Sequence, residues 1–387
     1  MSTTQIEHPL LNEEHHLIRA TVSDFAVREI KPIAKELDEK EEFSIEITQK
    51  MGELGLFGMN IPEIYGGQNT DTLSYIIAVE ELAKIDGSQA ATLAAHNSLG
   101  IAPLLYFGTE AQKQKYLPQL CTGKKIWAFG LTEPEAGSDS RGTKTVAEIE
   151  NNSWVINGSK IFITNGASDI SAGVTVQAVT ANNNGEKEFS TIIVEAGTNG
   201  FVKSSMKGKL MWRASDTAQL FFDNCEVPLE NLLGKRGEGS KIMLHTLDGG
   251  RLSIAAMGLG LAEGAFEMAL QYANQRKQFG KTISKFQTIA FKLADMATKI
   301  ELARNLLYTA CWLKDNKKPF SKEAAMSKLY CSEIAQEVAN EAVQIHGGYG
   351  LMKDFDIERF FRDQRLLQIG EGTSEIQRLV ISRYIGC

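Results

Sequence analysis

Trp154-Val155-Ile156-Asn157-Gly158-Ser159-Lys160-Ile161-Phe162-Ile163-Thr164 reads as two short β-branched runs separated by an Asn-Gly pair. Such a pair predicts a two-residue hairpin, because both central residues of a type I′ turn need positive φ. Runs of the same texture lie on either side: Ile126 to Leu131, Val174 to Val179, Phe189 to Val194 and Gln219 to Phe222. No helix-length apolar pattern separates them, so the stretch from Ile126 to about Val227 predicts a β domain rather than βαβ units.

The flanks carry a helical period. From Asn12 to about Lys124, residues Ile18, Val22, Phe25, Ile30, Ile33 and Leu37 recur at helical spacing on one face. Pro62 and Gly66-Gly67 punctuate a loop before the pattern resumes over Thr72 to Lys84. After Ser240, residues Leu261, Ala265, Met268, Ala269 and Tyr272 share a face of one long helix. Gly258, Gly260 and Gly264 in that helix would admit a neighbouring backbone. Further helices are expected at Lys285–Lys314, Ser321–His346 and Ser374–Tyr384, with Ser374 and Gln377 at capping-box spacing for the last. At 387 residues the chain exceeds the size at which one core stops growing. The expected fold class is multi-domain α+β: an all-α domain (1–125), a β-sheet or barrel-like middle domain (126–238) and a helical domain (239–387).

Composition narrows the function. A formal net charge of −7 argues against nucleic acid as the main partner, without excluding a local basic pocket for a phosphorylated ligand. Five scattered cysteines with no C-x-x-C pair read as free thiols in a reducing compartment. Met1 to Leu17 is polar and acidic, without the apolar core of a secretory leader. No apolar run approaches the roughly 18 residues of a membrane span. A soluble, cytoplasmic protein is expected. His15 and His16 cannot face one metal from a helix and the other histidines are isolated, so no metal site is expected. Gly234 to Lys241 has Ser240 and Lys241 in the reverse of phosphate-loop order, and Gly258-Leu259-Gly260 lies inside a helix, not after a strand.

Five stretches hold polar chemistry where a strand or helix ends. Phe129 to Asp139 (F-G-L-T-E-P-E-A-G-S-D) leaves a strand for small, hydroxylated residues. Lys160 to Gly166 is an alternating strand ending in a polar turn. Arg276-Lys277-Gln278-Phe279-Gly280, with Phe286-Gln287 after it, is a helix end and a turn. Gln344 to Gly350 (Q-I-H-G-G-Y-G) closes a helix on glycines. Ile369 to Ser374 (I-G-E-G-T-S) puts Glu371 between two glycines before a helix start. Each alone has an ordinary reading: turn hydrogen bonds, an edge strand, cations at a helix C-terminus, a solvated loop carboxylate.

Together and in this order, L-T-E-P-x-A-G-S-D, K-I-F-I-T-N, R-K-Q-F-G, F-Q, Q-I-H-G-G-Y-G and E-G-T-S-E-I-Q-R resemble the acyl-CoA dehydrogenase family over essentially the whole chain. The likeness is to a short- or branched-chain-like bacterial member. It implies a C-terminal four-helix bundle, FAD as cofactor, and α,β-dehydrogenation of an acyl-CoA to the 2-enoyl-CoA. By that resemblance Glu371 is the base that takes the α proton, while the β hydride passes to flavin N5. Some relatives carry the base on a helix just before a CoA-contacting arginine; here Gly250 precedes Arg251, which leaves Glu371. The resemblance further implies flavin contacts at Phe129, Leu131, Thr132, Gly137, Ser138, Phe162, Ile163, Thr164, Thr373 and Glu375. It implies that Arg276, Gln278, Phe279, Phe286, Gln287, Gln344, Gly347 and Gly348 reach the FAD of a neighbouring subunit in a homotetramer. CoA contacts fall on Ser138, Asp248, Arg251, Gly372 and Arg383, and an electron-transferring flavoprotein is the implied electron acceptor.

Four positions depart from the commonest pattern: Gly370 replaces an aromatic residue, Glu135 and Met211 stand where glycine is frequent, and His346 where an apolar residue is usual. Loss of a ring at Gly370 implies room for a branched, cyclic or functionalised acyl group. Residues around Leu93–Leu99 and Leu244–Leu247 are expected to set pocket depth, with His96 and Asn97 either pocket floor or core. An oxidase, decarboxylase or desulfinase on the same scaffold, or a flavin- or CoA-binding protein without turnover, are the alternatives.

Overall fold

The structure, a computed structural model, describes residues 8–387, with Asn183 known by its backbone; the first seven residues of the polar Met1–Leu17 stretch lie outside it. The chain begins with seven helices: α1 (Glu13–Phe25), α2 (Lys31–Lys40), α3 (Ile45–Glu53), α4 (Thr72–Ala83), α5 (Gly87–Ala95), α6 (Ala102–Phe107) and α7 (Glu110–Leu120). Most start where a short polar side chain takes up an orphan N–H: Asn12, Ser44, Asp71, Asp86 and Thr109 all accept from the helix they precede. Between α5 and α6 the helix widens into a π turn over His96–Ile101, a distortion that re-aims side chains and often marks functional ground.

An eight-stranded sheet follows: β1 (Ile126–Gly130), β2 (Val146–Glu150), β3 (Ser153–Thr164), β4 (Ser171–Asn183), β5 (Glu186–Glu195), β6 (Phe201–Ser205), β7 (Thr217–Pro228) and β8 (Leu232–Leu233). Its order is β6-β7-β3-β2-β4-β5-β8, with β1 running parallel beside β4. It keeps its own core of Trp154, Ile156, Val176, Ile192, Leu220 and Phe222 among others. The hairpin expected at Asn157-Gly158 does not form. The residues lie inside the continuous β3, where the pairing with β7 slips between Ile156 and Gly158. A Cβ at Gly158 would stand 2.7 Å from the Thr145 Cα, so glycine there serves a bulge and close backbone approach. The tight turns sit instead at Asn151-Asn152 (φ 47° and 64°) and Asn184-Gly185 (φ 54° and 92°), each with two positive φ values in succession.

The last part comprises α8 (Gly239–Gln275), the small hairpin β9 (Lys277–Gln278) and β10 (Lys281–Thr282), then α9 (Gln287–Asp315), α10 (Ser321–His346), α11 (Ile357–Asp363) and α12 (Ser374–Tyr384). Helices α8, α9, α10 and α12 pack as a bundle around Ala, Leu and Cys side chains. Contrary to the expectation from the sequence, α8 is long and apolar enough to pass for a membrane span, with an 18-residue window of mean hydropathy 1.2. That window is 78% buried inside the protein, so its apolar surface is spent on α4 and α10. The three glycines allow this closeness: a Cβ at Gly258 would lie 2.8 Å from the Cys331 carbonyl oxygen, and at Gly260 or Gly264 it would collide with the Glu80 or Lys84 carbonyl. The final helix is capped by Thr373, whose hydroxyl accepts from Ile376 N–H, and not by Ser374. Gln377 reaches back to the Gly372 carbonyl instead of closing a capping box.

Candidate active site

Glu371 sits in a turn that only a constrained setting sustains. Its φ is 53° and that of Gly372 is 89°, so two left-handed residues run in succession into the cap of α12. For a glutamate that conformation costs of the order of 1 kcal/mol or more. The carboxyl turns back onto α8, where Oε2 is enclosed with no hydrogen-bond partner. Gly250 makes this possible: a Cβ there would land on Oε2 and stand 3.0 Å from Leu99 Cδ2. The residue taken from the sequence as ruling out a rival base is therefore also the wall against which Glu371 rests. Burial pushes the carboxyl up to about 7, against the opposing pull of Lys328 and then Arg251. Arg251 is itself buried and paired with Asp248 one turn earlier.

The turn is held from two sides. The Gly372 carbonyl accepts from Gln377 Nε2 at 2.9 Å and from Lys328 Nζ at 2.6 Å. Lys328 was not singled out in the sequence, though a signal exists. It lies in the row Ala324, Lys328, Cys331 and Ala335, the buried stripe of α10, where a lysine has no ordinary place.

The strand-end loops form a second group. Phe129 is half-buried at the end of β1, Leu131 is buried, Thr132 half-buried, and Gly137 and Ser138 are exposed. The adjacent β3 bulges between Lys160 and Ile163 in its pairing with β7, and Phe162 there has φ 60° and is 64% exposed. A phenylalanine held left-handed with its ring in the open is a strained arrangement of the kind found at ligand sites. Ile163 points inward and Thr164 is half-buried. A buried ion pair that the sequence reading passed over fixes this loop. Lys160 Nζ donates to Glu133 Oε1 at 2.7 Å and to the Leu131 carbonyl at 3.2 Å. Glu133 also accepts from the backbone of Lys144 and Thr145. The two ends of the L-T-E-P stretch and the K-I-F-I strand are thus one unit.

A third group gathers at the far end of the bundle. Arg276, Gln278, Gly347 and Gly348 line an open cleft of about 490 Å³ together with Tyr349 and His346. Gly347 and Gly348 present bare backbone, with nothing within 4 Å of where a Cβ would stand. Phe279, 92% exposed at the tip of the β9–β10 turn, meets Phe286 edge-on at 6.0 Å; Gln287 and Gln344 are exposed nearby in sequence. His346 is buried and stacks on Tyr272 at 4.4 Å, giving the cleft an aromatic floor. Arg383 stands exposed on the last turn of α12, and among the described residues no hydrogen bond or ion pair joins it to Asp248 or Arg251. Thr373 caps α12, and Glu375 is exposed in its first turn.

A separate cavity of about 240 Å³ brings together the two stretches expected to set pocket depth, with Asn97 and Ser98 facing His245 and Thr246. Glu371 is not among its walls. Tyr75 connects the two regions, lining the cavity while its hydroxyl meets Ser253 Oγ at 3.0 Å. His96 is core: its Nδ1 accepts from Trp127 N–H, and its other ring nitrogen faces the Leu120 carbonyl.

Three family descriptions match in tandem: acyl-CoA dehydrogenase N-terminal domain over residues 12–124, middle domain over 128–225 and C-terminal domain over 237–386. The chain belongs to the acyl-CoA dehydrogenase family. It is 50% identical over 376 residues to the probable acyl-CoA dehydrogenase YngJ of Bacillus subtilis, covering 97% of this chain and 98% of that one. It is 48% identical to the short-chain specific acyl-CoA dehydrogenase of Clostridium acetobutylicum, over 96% and 98% of the two chains. The butyryl-CoA dehydrogenase structure from Megasphaera elsdenii superposes with a TM-score of 0.94 at 43% identity, over 97% and 98%. The protein is an acyl-CoA dehydrogenase, a flavoprotein oxidoreductase of fatty acid metabolism whose family binds FAD. The open glycine backbone at Gly137, Gly347 and Gly348, with the bared rings of Phe162 and Phe279, suits such a ligand.

Proposed function

We propose that this dehydrogenase oxidises a short, branched or otherwise widened acyl-CoA across Cα–Cβ, with Glu371 as the base that removes the α proton. The enclosed Glu371 carboxyl, unpartnered at Oε2 and resting on Gly250, carries this reading. A base titrating at about 7 is charged in about half of the molecules at neutral pH, yet basic enough to take a weakly acidic proton. Bound FAD supplies the acceptor for the hydride leaving Cβ. The chain's own part is to hold the carboxylate in a dry pocket, to offer the Glu371 N–H to the thioester oxygen, and to keep Arg251 and Asp248 at its edge. Fixed N–H donors stabilise charge developing on a carbonyl oxygen.

The Glu371 pocket and the Arg276 cleft cannot serve one flavin of one chain. Gly250 and Gln275 lie at separate heights of α8, roughly 40 Å apart at 1.5 Å per residue. That separation supports the reading, implied by the family resemblance, in which the cleft serves a neighbouring copy's FAD in a homotetramer. An electron-transferring flavoprotein takes the electrons onward. A widened acyl group is inferred from Gly370 lacking the ring many relatives carry there; a Cβ at this position would stand 2.9 Å from Leu366 Cδ2, so Leu366 packs where that ring would begin.

Anaerobic titration with a panel of acyl-CoAs tests the reading. Glu371→Gln should retain FAD and slow flavin bleaching by roughly 10²–10⁴-fold; unchanged bleaching removes Glu371 from the mechanism. A clear preference for straight butyryl or octanoyl thioesters over branched ones defeats the argument from Gly370. Rapid re-oxidation of the bleached enzyme by oxygen alone would make it an oxidase.

A further inference from the structure

Among the buried charges with no part so far in this chemistry, one lies directly against the turn that carries Glu371. Lys328 is fully enclosed in the third turn of α10, and burial drags its ammonium down to about 8. An apolar side chain of similar length would avoid that desolvation. The lysine's partner is the Gly372 carbonyl, 2.6 Å from Nζ. That carbonyl belongs to the turn in which Glu371 and Gly372 both hold positive φ.

We propose that Lys328 is the positioning residue of the base. Its ammonium pins the Gly372 carbonyl, fixes the left-handed Glu371–Gly372 turn, and supplies the positive charge that keeps the Glu371 carboxylate ionised. The inference rests on Glu371 being the base. Charged or titratable groups near the carboxyl are Lys328 from α10, Arg251 with its partner Asp248 from α8, and Tyr75 from α4. Those near Lys328 are Glu371, Arg251, Glu375 of α12 and Glu333 of its own helix. Arg251 is already engaged by Asp248, which leaves Lys328 as the larger charge opposing burial of the carboxyl.

The sign follows. Without the ammonium the carboxyl holds its proton more tightly, and since the carboxylate is the working form, the rising limb of activity against pH moves upward. Stopped-flow anaerobic flavin reduction by butyryl-CoA across pH measures this on FAD-loaded enzyme. Lys328→Gln, uncharged and one bond shorter, should move the limb up by about one pH unit. Lys328→Met should move the limb and also lower the plateau about tenfold, as expected for a misplaced base. Lys328→Arg should hold the limb in place. A limb that stays put in both uncharged variants, with FAD content unchanged, overturns the proposal. Should those variants fail to fold, ¹⁵N-lysine NMR on wild-type and Glu371→Gln holoenzyme decides, with the Lys328 signal assigned by its absence from Lys328→Arg. Loss of the Glu371 charge should lower the Lys328 midpoint, and equal midpoints overturn the proposal. This readout needs no turnover, so it separates a failed Lys328 assignment from a failed base assignment.

Discussion

Glu371 stands where a carboxyl's needs for catalysis and for stability pull apart. Its folded-state titration at about 7 lies above the ordinary 4.5, so between those values the folded chain binds the proton more tightly than the unfolded one. The resulting stabilisation is full below 4.5 and is lost as pH rises through 7, while activity rises over the same window. Glu371→Gln should therefore melt higher than wild type at pH 8, by on the order of 2 kcal/mol once residual solvent screening is allowed for, and the gap should close by about pH 4, below the unfolded-state value. Calorimetry at the two pH values checks this, and a gap of equal size at both would sink it. Gly250→Ala tests the other side of the pocket. The added methyl displaces the carboxyl, so reduction should fall about 10²-fold while FAD stays bound. Alanine also favours the helix by up to about 1 kcal/mol, so lost activity need not bring a large loss of stability. A variant with normal reduction kinetics would show that the carboxyl does not rest there. Gly250 beside Arg251 was legible in the sequence as the absence of a rival; its contact with Glu371 was not, because α8 and the α12 cap meet only in the folded chain.

At the scale of elements, the bulged β3 and its loop behave as one unit because Glu133 and Lys160 are paired out of water. Lys160→Met leaves Glu133 buried without its counter-charge, which should cost about 3–5 kcal/mol and loosen FAD. The double change with Glu133→Gln should recover much of that, a coupling that denaturant titration of the four proteins measures. Gly260→Ala puts a methyl against the Glu80 carbonyl where α8 crosses α4, an overpacking worth roughly 1–3 kcal/mol. The helices α10 and α12 follow their sequence periods to the residue, since the apolar face and the breaks at Gly347 and Gly372 coincide with what packing requires. The turn at Asn157-Gly158 does not. Its dipeptide suits both a hairpin and a bulge, and pairing with β7, some sixty residues on, selects the bulge.

Across the whole molecule, α11 is the point where the three parts are tied. Arg359 pairs with the buried Asp86 that caps α5, and Asp363 accepts from the Trp212 N–H at 2.8 Å. Arg362 reaches Asp38 of α2 at 2.7 Å and the Leu210 carbonyl at 3.1 Å. Arg359→Met strands Asp86 in the interior. It should lower stability by about 3–5 kcal/mol and split thermal unfolding into separable steps; a single sharp transition with an unchanged midpoint would show that the tie is incidental. This seven-residue helix had no signal in the sequence, for a period of 3.6 cannot be read over two turns.

The amino-acid sequence alone determined the helix–sheet–helix succession and the ordered polar stretches that mark the family, because both reside in local period and residue type. Tertiary structure alone decided how far the Glu371 pocket lies from the Arg276 cleft, that Gly250 is a wall, and that Lys328 lies beneath the base. Each of these depends on contacts between residues tens to hundreds of positions apart. Burial then sets the charge of Glu371, and burial belongs to the assembled chain.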